Sequence, residues 1–299
     1  MSVPAELPEP IDHRYVEWDR VVRAAYRIRQ TYRYDYPEPI GQLDHRLVIV
    51  PPERFGDQRR VRHRLTSSPE GEQQVGPDEF GNTVLELRVA RVERSIEFQA
   101  WIEVEREVGA EPHLVPVGWL QDPRLLQPSR LTQPAEPLVT AARTLAGGGE
   151  AGLELAERVS DWVFGTLRYE SGVTGVETTA AEALSLGRGV CQDYAHVMIA
   201  VCRLLGLPAR YVSGHMLGEG GTHAWVEVLV PGPEGSGAAA VWAFDPTHGR
   251  HATLGYVTVA VGRDYRDVAP TSGTYTQGPA GRLTSRKRVQ VTHLEYASA

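Results

Sequence analysis

The chain has 299 residues, room for two ordinary domains or one large one. Hydrophobic residues at 41% and charged residues at 23% are close to the globular average and exclude a wholly disordered or collagen-like chain. A formal net charge of −7, from 31 basic and 38 acidic residues, argues against a generic binder of nucleic acid or of anionic membranes. Every basic residue except Lys287 is Arg, which a GC-rich genome explains without any function. The start, Met1 to Arg14, is Pro-rich and acidic with no apolar run of a signal peptide. No stretch approaches the roughly 18 apolar residues of a transmembrane helix, so the expected location is cytoplasmic.

From Val21 to about Val108 the apolar residues recur with period two, the mark of half-buried strands. Val22, Ala24, Tyr26, Ile28, Tyr32 and Tyr34 alternate with Arg23, Arg27, Arg29 and Arg33. Leu43 to Val50 is a second strand ended by Pro51 and Pro52, Gln58 to Thr66 a third, and Thr83 to Ala90 a fourth after a turn at Pro77 to Asn82. Ile96, Phe98, Ala100, Ile102 and Val104 then alternate with Glu97, Gln99, Glu103 and Glu105. Five or more strands with no helix between them predict a β-sandwich over 1–110, with Arg on one strand and Glu on another forming cross-strand ion pairs. Residues 111–135 hold Pro112, Pro116, Pro123, Pro128 and Pro134, the composition of a linker.

The second half, 136–299, opens with helices. Pro137 to Ala146 stops at three glycines, and Leu153 to Tyr169 carries Leu155, Val159, Trp162, Val163 and Leu167 on one stripe. Thr178 and Thr179 cap a short helix through Leu186. A further helix begins at Cys191, with Ala195, Val197, Met198, Val201, Cys202, Leu204 and Leu205 at helical spacing, until Gly206 and Pro208 end it. The only cysteines, Cys191 and Cys202, are then about 16 Å apart along that helix, too far for a disulfide. Strands follow at Arg210 to Met216, His223 to Val230, Ala238 to Asp245 and Tyr256 to Val261, with a Gly-rich turn at Leu217 to Thr222 and a final strand, Arg282 to Leu294, as an extension of this domain.

Cys191 falls in the first turn of its helix, where unpaired backbone N–H groups and the positive end of the dipole favour a thiolate and can also donate to an oxyanion. Asp193 opposes that charge if its carboxylate points inward; the sequence leaves its direction open. Closing a symmetric hairpin through Pro231 to Gly237 sets His223 opposite Asp245, Trp225 opposite Ala243 and Glu227 opposite Val241, so that Asp245 can hold the imidazole of His223. Cys202 reads as packing. His196 lies about 140° round the helix from Cys191 and is excluded as its base. His215, His248 and His251 read as ordinary polar residues near the rim, and Arg263 to Asp267 as a solvated ion-pair loop. Trp225 and Trp242 have opposite strand phases and cannot both face one side.

Four blocks in order, Gly189-Val190-Cys191-Gln192-Asp193-Tyr194-Ala195-His196, Gly206-Leu207-Pro208-Ala209-Arg210-Tyr211-Val212-Ser213-Gly214, Thr222-His223-Ala224-Trp225-Val226-Glu227 and Phe244-Asp245-Pro246-Thr247, resemble the transglutaminase-like superfamily over about residues 135–270. The strand-rich front resembles the N-terminal region of bacterial members. The resemblance implies an α+β chain: the β-sandwich followed by a papain-like core, its helical part carrying the Cys and an antiparallel sheet carrying His and Asp. It also implies acyl transfer through a thioester, with Cys191 as nucleophile, His223 as base and acid and Asp245 as orienting carboxylate, acting on a peptide or protein amide. Gln192, Tyr211 and Trp225 are the oxyanion or substrate candidates. No Asp-rich calcium loop is present, no paired Cys or His-x-x-x-His supports zinc, and no cofactor is expected. An amine-accepting acyltransferase and a non-catalytic peptide-binding module are the alternatives.

Overall fold

The computed structural model describes residues 10–109, 113–218 and 222–297; most of the Pro-rich start, Pro112 and the middle of the Gly-rich turn lie outside these. The front half contains β1 (Val21–Asp35), β2 (Ile40–Val50), β3 (Arg54–Phe55), β4 (Gln58–Ser68), β5 (Glu72–Pro77), β6 (Thr83–Val92) and β7 (Ser95–Glu107). After β8 (Leu114–Pro116) come helices α1 (Pro123–Leu126), α2 (Glu136–Ala146) and α3 (Gly152–Thr166), then β9 (Arg168–Tyr169), α4 (Ala180–Leu186), β10 (Arg188–Gly189) and α5 (Cys191–Leu204). The chain ends with β11 (Ala209–Met216), β12 (His223–Pro231), β13 (Ala238–Asp245), β14 (Arg250–His251), β15 (Tyr256–Gly262), α6 (Tyr265–Val268), β16 (Thr271–Thr274) and β17 (Arg282–Tyr296).

Two antiparallel sheets, ordered β17-β1-β7-β4-β3 and β16-β2-β6-β5, close over one apolar core. The period-two pattern explains the layer. Tyr26, Ile28 and Tyr32 of β1 and Phe98, Ile102 and Val104 of β7 point inward against Leu43, Leu47 and Ile49 of β2 and Leu85 and Leu87 of β6. On the outer face the expected ion pairs form, among them Arg23–Glu105 at 3.3 Å, Arg33–Glu97 at 3.6 Å and Arg62–Glu103 at 3.0 Å. Strand β5, which has no apolar alternation, and the short strands β3 and β16 are those of the two sheets that the sequence pattern did not reveal.

The final strand does not extend the second domain. β17 pairs with β1 from Val21↔Tyr296 to Asp35↔Arg282, and β16 pairs with β2, so the C-terminal end of the chain completes the first domain. The reason is backbone accounting: without β17 the long strand β1 would leave one edge of N–H and C=O groups unpaired. The Pro-rich stretch is likewise no free linker. β8 pairs with β13, Asp122 caps α1 ahead of Pro123, and Leu125 and Leu131 are fully buried. The guanidinium of Arg203, itself buried, donates to the Leu125 carbonyl, to Thr132 and to the Ala209 and Arg263 carbonyls, which clamps this stretch to α5.

In the second domain a sheet ordered β14-β13-β12-β11-β15, with β8 beside β13, carries α5 on one face. Ala224, Val226 and Val228 of β12 and Ala209 and Tyr211 of β11 share a core with Ala195, Met198, Ile199 and Cys202 of α5. The helix ends as the sequence predicts: Gly206 has φ +76° and the Leu207 N–H reaches the Cys202 carbonyl at 2.8 Å. The outer edge of β15 is covered by two side-chain amides of the first domain. Gln58 exchanges hydrogen bonds with Thr258 (2.8 and 2.9 Å) and Asn82 with Val261 (2.7 and 2.8 Å), each standing in for a neighbouring strand.

Candidate active site

Cys191 is the first residue of α5 and is half-buried. The Val190 carbonyl accepts the N–H groups of Asp193 (2.8 Å) and Tyr194 (3.2 Å), so the donors left to the first turn are those of Cys191 and Gln192. Asp193 settles the question its sequence position left open. Its Oδ2 accepts the Val190 N–H at 2.8 Å and the Thr174 hydroxyl at 2.6 Å, so the carboxylate turns back over the helix start. Burial raises its pKa. A Cβ at position 189 would collide with that carboxyl group, which accounts for Gly189.

His223 and Asp245 are joined directly: Nε2 lies 2.8 Å from Oδ2, with the imidazole 1% and the carboxylate 0% exposed. The pairing holds although the hairpin register is not the symmetric one. Glu227 faces Ala243 and Leu229 faces Val241, two residues along from the expected partners, because β12 runs on to Pro231 and the turn centres later. A shift of two preserves the face, so His223 and Asp245 meet diagonally. Asp245 accepts three more hydrogen bonds: from His248 Nδ1 at 2.8 Å, the Tyr256 hydroxyl at 2.7 Å and the Thr247 N–H at 3.0 Å. Burial by itself would raise its pKa, but the bonds from His223, His248 and Tyr256 and the charge of His223 hold the carboxyl well below the usual carboxylate range. Tyr256 in turn accepts from Arg250 Nε at 3.0 Å.

His248 and Tyr256 are the site residues that sequence reasoning missed. His248 carried a signal, since it follows Asp245 by one turn, within reach of its carboxylate. Tyr256 carried none, because only the sheet brings β15 to the end of β13.

The Gln192 side-chain amide donates to the Val176 carbonyl at 3.2 Å and the Gly175 carbonyl at 3.4 Å; it fastens a loop and is not an oxyanion donor. Tyr211 is buried beneath α5, its ring 5.2 Å from His196, and burial first, then the charges of Cys191 and its neighbours, raise its pKa well above the ordinary value. Trp225 is buried and stacks on the imidazole of His223 at 6.2 Å and edge-on to Tyr256 at 5.4 Å, which fixes the ring plane of the base candidate. Gly214 on β11 leaves the room that Trp225 needs. As the phases require, Trp242 packs toward the helices and Trp225 toward the other face.

His196 is fully buried, accepts the Tyr265 N–H at 3.2 Å and has its pKa lowered to about 4 by burial, so it takes no part. Cys202 is fully buried and its thiol is pushed up to about 12. His215 is buried on β11 rather than at a rim. His251 packs on Phe244 at 4.6 Å, and Arg263 pairs with Asp267 at 2.8 Å. Among the described residues, His223, Asp245 and His248 are a group whose donor atoms, all within 4.8 Å of one another, could share a metal ion; here the two imidazoles meet the carboxylate oxygen directly.

Residues 139–246 match the model of the transglutaminase-like superfamily, and residues 26–105 that of the bacterial transglutaminase-like N-terminal region. An uncharacterised protein of Mycobacterium leprae is 30% identical over 266 residues, covering 82% of this chain and 90% of the relative. One of Mycobacterium tuberculosis is 29% identical over 280 residues, covering 83% and 86%. Among solved structures, a protein of Cytophaga hutchinsonii named as a candidate cysteine protease superposes with a TM-score of 0.74 at 24% identity, covering 92% of this chain and 93% of that one. At that identity the likeness shows a shared fold.

Proposed function

This chain belongs to the transglutaminase-like superfamily, and on that premise we propose that it is a thiol-dependent acyl-transfer enzyme cleaving an amide, peptide or isopeptide bond through a thioester on Cys191. The observation that carries the reading is the buried contact of His223 Nε2 with Asp245 Oδ2 at 2.8 Å. An imidazole that spends Nε2 on a carboxylate offers Nδ1 for proton transfer. Cys191 begins the helix that packs on β11 and β12, and His223 begins β12. Alternation along β12 puts Ala224 and Val226 against α5 and Trp225 on the other face, so the proposal requires the Cys191 thiol to reach the imidazole of His223 at the N-terminal end of that strand.

In this reading the Cys191 sulfur attacks the carbonyl carbon while its proton passes to His223 Nδ1, and a C–S bond forms. The backbone N–H groups of Cys191 and Gln192 donate to the developing oxyanion. Collapse breaks the C–N bond, and the amine leaves with the proton held by His223. Water, giving a proton to His223, then attacks the thioester; the acid departs and the thiol is restored. Asp245 keeps the imidazole oriented and stabilises its protonated form, with Trp225, Tyr256 and His248 holding those two groups in place.

Alkylation by iodoacetamide tests the arrangement. Cys191 is expected to react well ahead of Cys202, and His223→Ala to slow that reaction while His251→Ala leaves it unchanged. A Cys191 rate indifferent to His223 would refute the pairing.

A further inference from the structure

The outer face of the sheet β17-β1-β7-β4 carries a charge pattern that the catalytic reading does not use. Register places Arg288, Arg29, Trp101 and Arg64 in one row across four strands: Arg29 pairs with Arg288 on one side and Trp101 on the other, and Arg64 pairs with Trp101. Directly opposed residues share a face. The next row along is Arg286, Thr31, Gln99 and Thr66. Among the described residues none of Arg29, Arg64, Arg286 and Arg288 has an acidic partner within 4.0 Å, although all four are exposed. The rows to either side are neutralised, by Glu103 facing Arg27 and Arg62 and by Glu97 facing Arg33.

Like charges set directly opposite destabilise a sheet, and a chain of net charge −7 has acids to spare for this face. Edge protection explains cations on the outermost strand β17. It does not explain Arg29, which lies on the interior strand β1 beside Trp101 of β7; Arg64, on the other side of that tryptophan, stands where β4 has run past its short neighbour β3. The β1, β7 and β4 members of the two rows line a shallow depression of about 440 Å³ with Trp101 in its wall, and Arg288 stands beside Arg29 on the neighbouring strand.

We propose that this face docks a short acidic polypeptide segment, its carboxylates taken by Arg29, Arg64 and Arg288 and its stems lying on Trp101. Guanidinium forks match carboxylates bidentately, and Trp and Arg are the side chains that anchor protein interfaces. The patch is only two rows deep, and glutamates of the neighbouring rows bracket it. A longer polyanion such as a nucleic-acid strand would run onto those glutamates, whereas a segment with two or three carboxylates fits between them.

The test uses the full chain and fluorescence anisotropy with three labelled probes: an oligoglutamate peptide, its glutamine counterpart and a single-stranded oligothymidylate. The oligoglutamate is expected to bind, more weakly as salt rises, and the glutamine peptide not to bind. Arg29→Gln with Arg64→Gln is expected to weaken binding at least tenfold, roughly 1.4 kcal/mol, while the charge-matched Arg88→Gln with Arg91→Gln on the other sheet changes it less than about twofold. Equal losses in the two double variants would reduce the effect to net charge and overturn the site. Tighter binding of the oligothymidylate, or no binding of the oligoglutamate, would overturn the acidic-peptide assignment. Circular dichroism of each variant separates lost binding from lost fold.

Discussion

Replacing Tyr256 by Phe removes a single oxygen from the wall behind Asp245 and keeps the ring that packs on Trp225. The lost hydroxyl donates to Asp245 Oδ2 at 2.7 Å, where Asp245 is 0% and Tyr256 2% exposed, so water cannot take its place. A hydrogen bond to a charged acceptor is worth about 1.5–3 kcal/mol, and Tyr256→Phe is therefore expected to lower the unfolding free energy by about 2 kcal/mol, read as the urea midpoint by far-UV circular dichroism. If the hydroxyl acts through the carboxylate charge, the same substitution made on top of Asp245→Asn costs at most about half as much, a coupling of roughly 1 kcal/mol. Equal losses in the two backgrounds would mean that Tyr256 serves the fold through Arg250 alone and that its contact with Asp245 carries no weight.

The pH dependence follows from the same carboxylate. Its pKa is depressed in the fold, so its stabilisation is complete above the ordinary carboxylate value of about 3.9 and is lost as pH falls below that toward the folded value. Below about pH 4.5, where the histidines beside position 245 are already protonated in both proteins and only the carboxylate of this group still titrates, the stability gap between the wild type and Asp245→Asn is expected to narrow as pH falls; a gap that widens over that acid range would contradict the sign. Asn82→Ala strips the Val261 N–H and C=O of their partners at the junction of the two domains and should cost about 2–4 kcal/mol in thermal or urea unfolding. A loss under about 0.5 kcal/mol would show that β15 does not need that cover. Gly189→Ala drives a methyl group into the Asp193 carboxyl, and a destabilisation of about 1–3 kcal/mol is expected, with none if the helix start can relax.

The His223–Asp245 contact was legible in the sequence for a particular reason. Side chains alternate with period two, so an estimate of the hairpin register that was off by two residues still set both groups on one face. Helix α5 was legible because its apolar spacing and its Gly206 and Pro208 stop are local. What escaped was long-range or ambiguous. That β17 returns to pair with β1 depends on an edge created by residues more than two hundred positions earlier, and the strand pattern of Arg282 to Leu294 names no partner. The prolines of residues 113–135 suit a linker and an N1 helix position equally well, and only the burial of Leu125 and Leu131 distinguishes the two. Gln192 looked like an oxyanion donor from its place beside Cys191, but its side chain is spent on the Gly175 and Val176 carbonyls. The acid bonds of His248 and Tyr256 rest on a turn and on a neighbouring strand that bring them to a carboxylate the sequence had already singled out.

The most direct test of the central claim is the mass of the intact protein after brief exposure to p-nitrophenyl acetate. The proposed triad predicts one acetyl group on Cys191, removable by neutral hydroxylamine as a thioester is, absent in Cys191→Ala and formed roughly a hundredfold or more slowly in His223→Ala. Acetylation that leaves Cys191 unmodified, or that proceeds unchanged without His223, would contradict it.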